Sequence, residues 1–201
     1  RSVNMAADYG SQTFWDERYA KASDSRGTSH FEWFPSRGED AIIRSIKKSN
    51  VRLSDRILDV GCGNSRFIWD LCDAGYTRVI GADFSKVVIN ELQAVSPSSS
   101  SSSKRAPHLF HMNAELLAFS DASISLVVDK GLLDSVLAVH DRQQLWMRNG
   151  KKEAQDPFLT RAAREAEEKG RRVLRELRRI LKAGGQYLMV SYEEPANRLP
   201  F

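Results

Sequence analysis

The chain has 201 residues, 41% hydrophobic and 28% charged, with a formal net charge of +4 and a pI near 9.1. This length suits one domain with its own core, and the composition excludes a disordered or fibrous chain. No apolar run approaches a membrane span, and the opening RSVNMAADYG lacks the apolar centre of a secretory leader.

The N-terminal stretch FWDERYAK…HFEWF concentrates aromatic residues ahead of the first strand pattern. Trp15 and Tyr19 lie four apart and share one face of a helix. Residues 1–50 are therefore expected to form an aromatic helical cover on a globular unit spanning 51–201. Arg56–Gly61 reads as the first strand, and Ser65–Ala74 as a helix capped by Asn64 and stopped by Gly75. Arg78–Ala82 is a second strand ending at Asp83, and Ser85 is placed to cap the helix KVVINELQAV. The serine run Ser96–Lys104 has nothing to bury and is expected to be a flexible surface loop.

His108–Met112 and Ile124–Asp129 read as the third and fourth strands, the latter apolar enough to be central. A helix begins near Leu133 and runs into the polar, irregular HDRQQLWMRNGKKEAQDP. Thr160–Lys182 is a long charge-rich helix ended by Gly184–Gly185, and Gln186–Tyr192 is a fifth strand. Its arginines are interleaved with Glu165, Glu167, Glu168 and Glu176, which favours a solvated face over a nucleic-acid surface. Alternating strands and helices predict an α/β, Rossmann-like parallel sheet with helices on both faces.

The stretch ILDVGCGNSRF joins the first strand to a helix through two glycines. A phosphate-binding P-loop requires Gly-Lys-Ser/Thr at the helix start, which is absent after Gly63. A dinucleotide loop requires a third glycine where this chain has Arg66, so that fit is partial. S-adenosylmethionine carries no phosphate, and Gly61 and Gly63 let backbone approach it without a Cβ in the way. Asp59 beneath the loop is a candidate acceptor for the ligand ammonium, against a plain strand-end role. Asp83, twenty residues after Gly63, suits the two hydroxyls of an adenosine ribose, in either cofactor. Asn113 and the Ala114 N–H after the third strand suit the adenine edge, and Phe84 its face. Cys62 sits inside the loop. Two cysteines, Cys62 and Cys72, give neither a disulfide framework nor a metal spacing, so reduced thiols in a cytoplasmic protein are expected. The four scattered histidines suggest no metal site.

ILDVGCGNS, ADFSKVVI, MNAELLAFSDASISLVVDKGLLDS and ELRRILKAGGQYLMVSY together resemble class I S-adenosylmethionine-dependent methyltransferases. More narrowly, with the upstream W-D-x-R-Y…W-F, they resemble the methyltransferase-like group that includes the lysine methyltransferases of elongation factor 1-alpha. One of that group is the methyltransferase-like part of endothelin-converting enzyme 2. The resemblance implies that Trp15, Tyr19 and Trp33 close over the cofactor and that Lys130 belongs to the cofactor region. Asn113 stands where the group usually has aspartate, and Asp129-Lys130-Gly131-Leu132-Leu133-Asp134-Ser135 stands where it has D-K-G-T-L-D-A. The resemblance also implies an antiparallel strand pair after the fifth strand, which is expected to be missing here.

The expected activity is methyl transfer from S-adenosylmethionine to a protein lysine ε-amine, possible partners including elongation factor 1-alpha, with S-adenosylhomocysteine as product. Asp129, at the end of the fourth strand, is the candidate for orienting the amine, against a helix-start role. A small-molecule acceptor and a non-catalytic scaffold domain are the competing readings, and a nicotinamide dehydrogenase is a distant one.

Overall fold

The computed structural model describes residues 9–24, 32, 36–94 and 106–198. Trp33 and the serine run 96–104 lie outside the described residues. Five strands form one sheet: β1 (Arg56–Val60), β2 (Arg78–Asp83), β3 (His108–His111), β4 (Ile124–Lys130) and β5 (Leu181–Val190). Their order is β3-β2-β1-β4-β5, and every pairing is parallel. β1 and β4 are buried along almost their whole length, as continuous apolar runs in a sheet covered on both faces should be.

Helices α1 (Gln12–Asp24), α2 (Ser36–Lys48), α3 (Phe67–Asp73) and α4 (Lys86–Ala94) precede the third strand. Trp15, Tyr19, Ile46, Phe67, Leu71, Val88 and Leu92 from these helices form one core with Ile57, Leu126 and Val128. On the opposite face Val173, Leu177 and Ile180 meet Leu58, Val60 and Val127. Alternate residues of β1 and β4 thus serve opposite cores, as the two-residue strand period requires. The Arg66 N–H and Arg66 backbone, not Asn64, occupy the α3 start: Arg66 is the cap residue and the Phe67 N–H is bound by Ser65 Oγ at 3.1 Å. Ser85 caps α4, accepting from the Val88 N–H at 3.4 Å.

Two regions depart from the sequence expectation. The polar segment after His140 remains helical, so α5 spans Leu132–Arg148. Its polar residues take the outer face, while Leu133, Val136 and Leu137 repeat at helical spacing beneath. Gln143 fixes the next connection, donating to Ala154 O at 3.0 Å and Thr160 Oγ1 at 2.9 Å. Asp156 then caps α6 (Pro157–Ile180), accepting from the Phe158 and Leu159 N–H groups.

The second departure is the start of β5. α6 ends at Ile180, and the strand begins at Leu181, opposite Ile124. Gln186 is the next residue in register, opposite Leu126, so Gly184 and Gly185 lie in a bulge of the strand rather than ending the helix. The helix stops early because the Ala122 and Ser123 N–H groups take the Arg179 and Ile180 carbonyls, at 3.0 and 2.8 Å. Along α6 the pairs Arg161–Glu165, Arg171–Glu167 and Arg175–Glu168 hold the arginines to their own helix.

Candidate active site

The order β3-β2-β1-β4-β5 places a crevice at the C-terminal ends of β1 and β4, where the connections turn to opposite sides. The glycine loop closes one wall. Gly61 and Cys62 N–H groups donate to Ala82 O at 2.8 and 3.1 Å, tying the loop to the end of β2. Gly63 has φ +53°, and a Cβ there would stand 3.0 Å from the Tyr19 hydroxyl oxygen. Any larger residue would be strained and would push Tyr19 out.

The structure brings most of the expected residues around one cavity. Gly61 and Gly63 form its loop wall, Asp83, Phe84, Asn113 and Ala114 one end, and Lys130 another. Trp15 and Tyr19 from α1 line it too, each 6% exposed, with their rings stacked at 5.8 Å. Asp16 on the same helix accepts from Ser85 Oγ at 2.5 Å, so α1 is fastened to the start of α4. Trp33 lies outside the described residues.

Asp83 accepts from the Gly63 N–H through Oδ2 and from the Ser85 N–H through Oδ1, each at 2.9 Å. Burial pushes its carboxyl up to about 6, against the pull of those two bonds. Each oxygen retains acceptor capacity for a further hydroxyl. Asn113 Oδ1 accepts from the Glu115 N–H at 2.9 Å, an Asx turn that fixes its side chain at the cavity edge. Cys62 is also among the lining residues, and burial raises its thiol pKa well above the ordinary range.

Asp59 and Asp129 do not line the cavity; both are completely buried. Asp129 accepts from the Leu132 N–H at 2.7 Å, from the Leu133 N–H at 3.3 Å and from the Tyr187 hydroxyl at 2.8 Å. It holds the first two amides of α5, whose cap residue is Gly131, and both of its oxygens are engaged. Neither oxygen of Asp59 has a hydrogen-bond partner among the described residues. Burial pushes its carboxyl up to about 7, with Lys130 opposing and the Asp129, Glu32 and Asp83 charges adding.

Of the further lining residues, Glu32, Ser65, Tyr9 and Lys169 went unread as site residues in the sequence. Lys130 Nζ donates to Ser65 Oγ at 2.6 Å and to Glu32 Oε2 at 3.4 Å, 4.7 Å above the Phe67 ring. Glu32 also accepts from the Arg66 N–H at 2.8 Å, holding the N-terminal segment to the glycine loop. Ser65, a polar residue at a helix start after the loop, carried the one available signal. Tyr9 and Lys169 come from distant segments, and no local pattern marks them, whereas Ser135 closes the Asp129–Ser135 stretch singled out in the sequence.

Residues 57–148 match the methyltransferase domain family. The chain is 28% identical over 186 residues to the mouse eEF1A lysine and N-terminal methyltransferase, 92% of this chain and 22% of that protein. It is 29% identical over 196 residues to mouse EEF1A lysine methyltransferase 4, 95% of this chain and 64% of that protein. The chain therefore carries a methyltransferase-domain match over its first four strands and resembles the class I S-adenosylmethionine-dependent methyltransferases. Within that class the methyltransferase resembles the eEF1A lysine methyltransferase group, though it spans less than two thirds of either relative's length.

Solved structures share the fold of this methyltransferase. A phosphoethanolamine N-methyltransferase from Haemonchus contortus, solved with phosphoethanolamine and S-adenosylhomocysteine, superposes with a TM-score of 0.54 at 18% identity. That match covers 98% of this chain and 35% of that one. A methyltransferase from Methanosarcina mazei gives 0.52 at 21% identity, over 83% and 61% of the two chains. The cofactor is S-adenosylmethionine, and the cavity fits it: a Cβ-free loop, a carboxylate with spare acceptor capacity and a stacked aromatic wall. Among the described residues no group of His, Cys, Asp and Glu could hold a metal ion, and no helix is long and apolar enough to cross a membrane.

Proposed function

We propose that this methyltransferase modifies a lysine ε-amine on a protein, with an elongation factor 1-alpha-like substrate. What carries the reading is the relatives named as eEF1A lysine methyltransferases, matched over more than nine-tenths of this chain. In this reading Asp83 takes the ribose hydroxyls, while Asn113 Oδ1 and the Ala114 N–H take the adenine edge, with Phe84 against the ring. The backbone at Gly61 and Gly63 lies along the methionine part. Asp59, beneath the loop, accepts from the cofactor ammonium directly or through water, and Lys130 braces Ser65 and Glu32 beside it. Residues 1–50 serve as the cover through Trp15 and Tyr19, and Trp33 belongs with them by resemblance.

The cofactor supplies an electrophilic methyl group on a positively charged sulfur. The chain's task is to strip water from that group and hold an amine in line with it. A C–N bond forms as the C–S bond breaks, the electron pair stays on sulfur, and a methylated ammonium results. Asp129 is assigned to the fold here, because its oxygens are occupied by α5 and Tyr187. The test is incubation of the full-length protein and labelled S-adenosylmethionine with cell-extract proteins, followed by mass spectrometry. Label on a lysine of a discrete protein is the expected result. Label confined to metabolites would move the activity to a small-molecule acceptor.

A further inference from the structure

A second cavity opens beside the first and shares Tyr9, Gly131 and Ser135 with it. Its remaining walls are Asp134 and Ala138 on α5 and Tyr192 just beyond β5. Tyr192 is 67% exposed, so this cavity reaches solvent, while its inner end meets the cofactor cavity at Ser135. It therefore forms a passage from the surface to the cofactor.

The passage is built, not incidental. Asp134 accepts from Ser191 Oγ at 2.5 Å and from the Tyr192 N–H at 2.8 Å, which pins the end of β5 to α5. Arg198, 4% exposed, donates to Asp134 at 2.8 Å and to both oxygens of Asp141, at 3.0 and 2.8 Å. Two part-buried carboxylates and one buried guanidinium leave this cluster with one net negative charge, and through Asp134 it forms part of the passage wall. Ser135 Oγ donates to Gly131 O at 2.9 Å. Its hydrogen is therefore committed, and toward an incoming group it can only accept.

Two tyrosines as walls, a net negative charge and a hydroxyl presenting lone pairs select a long apolar stem that ends in a donor. We infer that this passage is the acceptor channel, taking an unbranched aliphatic primary amine such as a lysyl side chain between Tyr9 and Tyr192, with Ser135 accepting a hydrogen bond from the amine. The inference rests on the methyl-transfer reading above and adds where and by what chemistry the acceptor is chosen. Ser135 turns the nitrogen lone pair toward the methyl group, and Asp134 is a positioning residue that holds Tyr192 at the mouth. An entering ammonium loses one proton to water at the open mouth before the C–N bond forms. The methylated ammonium then carries the remaining positive charge out.

The test is calorimetric binding of three compounds to the full chain. They are S-adenosylhomocysteine, an analogue with nitrogen in place of sulfur bearing an ethyl-linked secondary amine with a pentyl chain, and its all-carbon-arm counterpart. Burial of the pentyl methylenes should make the amine-arm compound bind about tenfold tighter than S-adenosylhomocysteine. Ala138→Trp, which fills the passage, should erase that gain while S-adenosylhomocysteine still binds, showing the variant folded. Ser135→Ala should bring the amine and carbon arms to equal affinity. A wild-type gain of nothing, a gain that survives Ala138→Trp, or equal affinity of the two arms for the wild type would each overturn the inference. Failure of the wild type to bind S-adenosylhomocysteine is a separate result, and it would bring down the methyl-transfer reading together with the channel.

Discussion

β1 and β4 lie side by side, with Val60 opposite Asp129, yet their C-terminal ends are finished in different ways. Each carries an aspartate with no solvent exposure, and burial raises the pKa of both. At the β4 end the carboxylate is enclosed by its own fold: two amides of α5 and the Tyr187 hydroxyl satisfy it. At the β1 end Asp59 has no hydrogen-bond partner among the described residues, and neighbouring Asp83, which lines the cavity, uses one bond on each oxygen. Burial is the same; the partners differ. A buried carboxylate with every acceptor filled is architecture, and one left open beside a cavity is a place for a ligand.

Removing the filled carboxylate should do the most damage to the fold. Asp129→Ala leaves the Leu132 N–H and the Tyr187 hydroxyl without an acceptor in the core and frees the first turn of α5. At about 1–3 kcal/mol per stranded donor, a loss of about 3–5 kcal/mol is expected. Denaturant unfolding measures it, and a loss below 1 kcal/mol would put Asp129 back among the candidates for chemistry. Asp83→Ala should behave in the opposite sense, sparing more of the fold and weakening S-adenosylhomocysteine by about 2–3 kcal/mol. Hydrogen bonds to a charged acceptor disappear, and the Gly63 N–H loses its anchor. Calorimetry reads this directly, and unchanged affinity would remove the ribose from Asp83.

The same contrast marks what the sequence disclosed. The first four strands and the place of Asp83 at the end of the second, twenty residues after Gly63, were legible, because apolar runs and a fixed spacing are local and one-dimensional. The Tyr187 partner of Asp129 was not, since it lies 58 residues away and only the folded sheet brings it near. Distance hid the Asp134–Arg198 contact as well, at 64 residues. The start of β5 was misread for another reason. Two glycines after a helix resemble a stop, and nothing local shows that the Arg179 and Ile180 carbonyls are already taken by residues 122 and 123. Polarity misled at α5, where an exposed face was taken for an irregular segment. Of the expected site, Gly61, Gly63, Asp83, Phe84, Asn113, Ala114, Trp15, Tyr19 and Lys130 do converge on the cavity.

Asp59 gives the smallest and most diagnostic effect. Its carboxyl is held near 7 in the folded chain and near the ordinary 3.8 when unfolded. Between those values the folded state binds the extra proton, so stability falls as pH rises. The contribution is complete below about 3.8 and lost once pH passes about 7. Asp83 and Asp129, each near 6, add to the same slope, whereas Asp55, lowered to about 2 by the Arg52 N–H, stays ionised throughout this window. The protein without cofactor should therefore melt higher at pH 5 than at pH 8. Asp59→Asn removes one ionisation without changing shape, and should flatten that decline and stabilise the protein at pH 8. The amide still lacks partners where the carboxylate did, so the net gain is about 1 kcal/mol rather than the full cost of a buried charge. Melting curves of the two proteins from pH 5 to pH 8 decide it. Parallel declines would mean that Asp59 does not take up its proton in this range, and that the end of β1 is as self-contained as the end of β4.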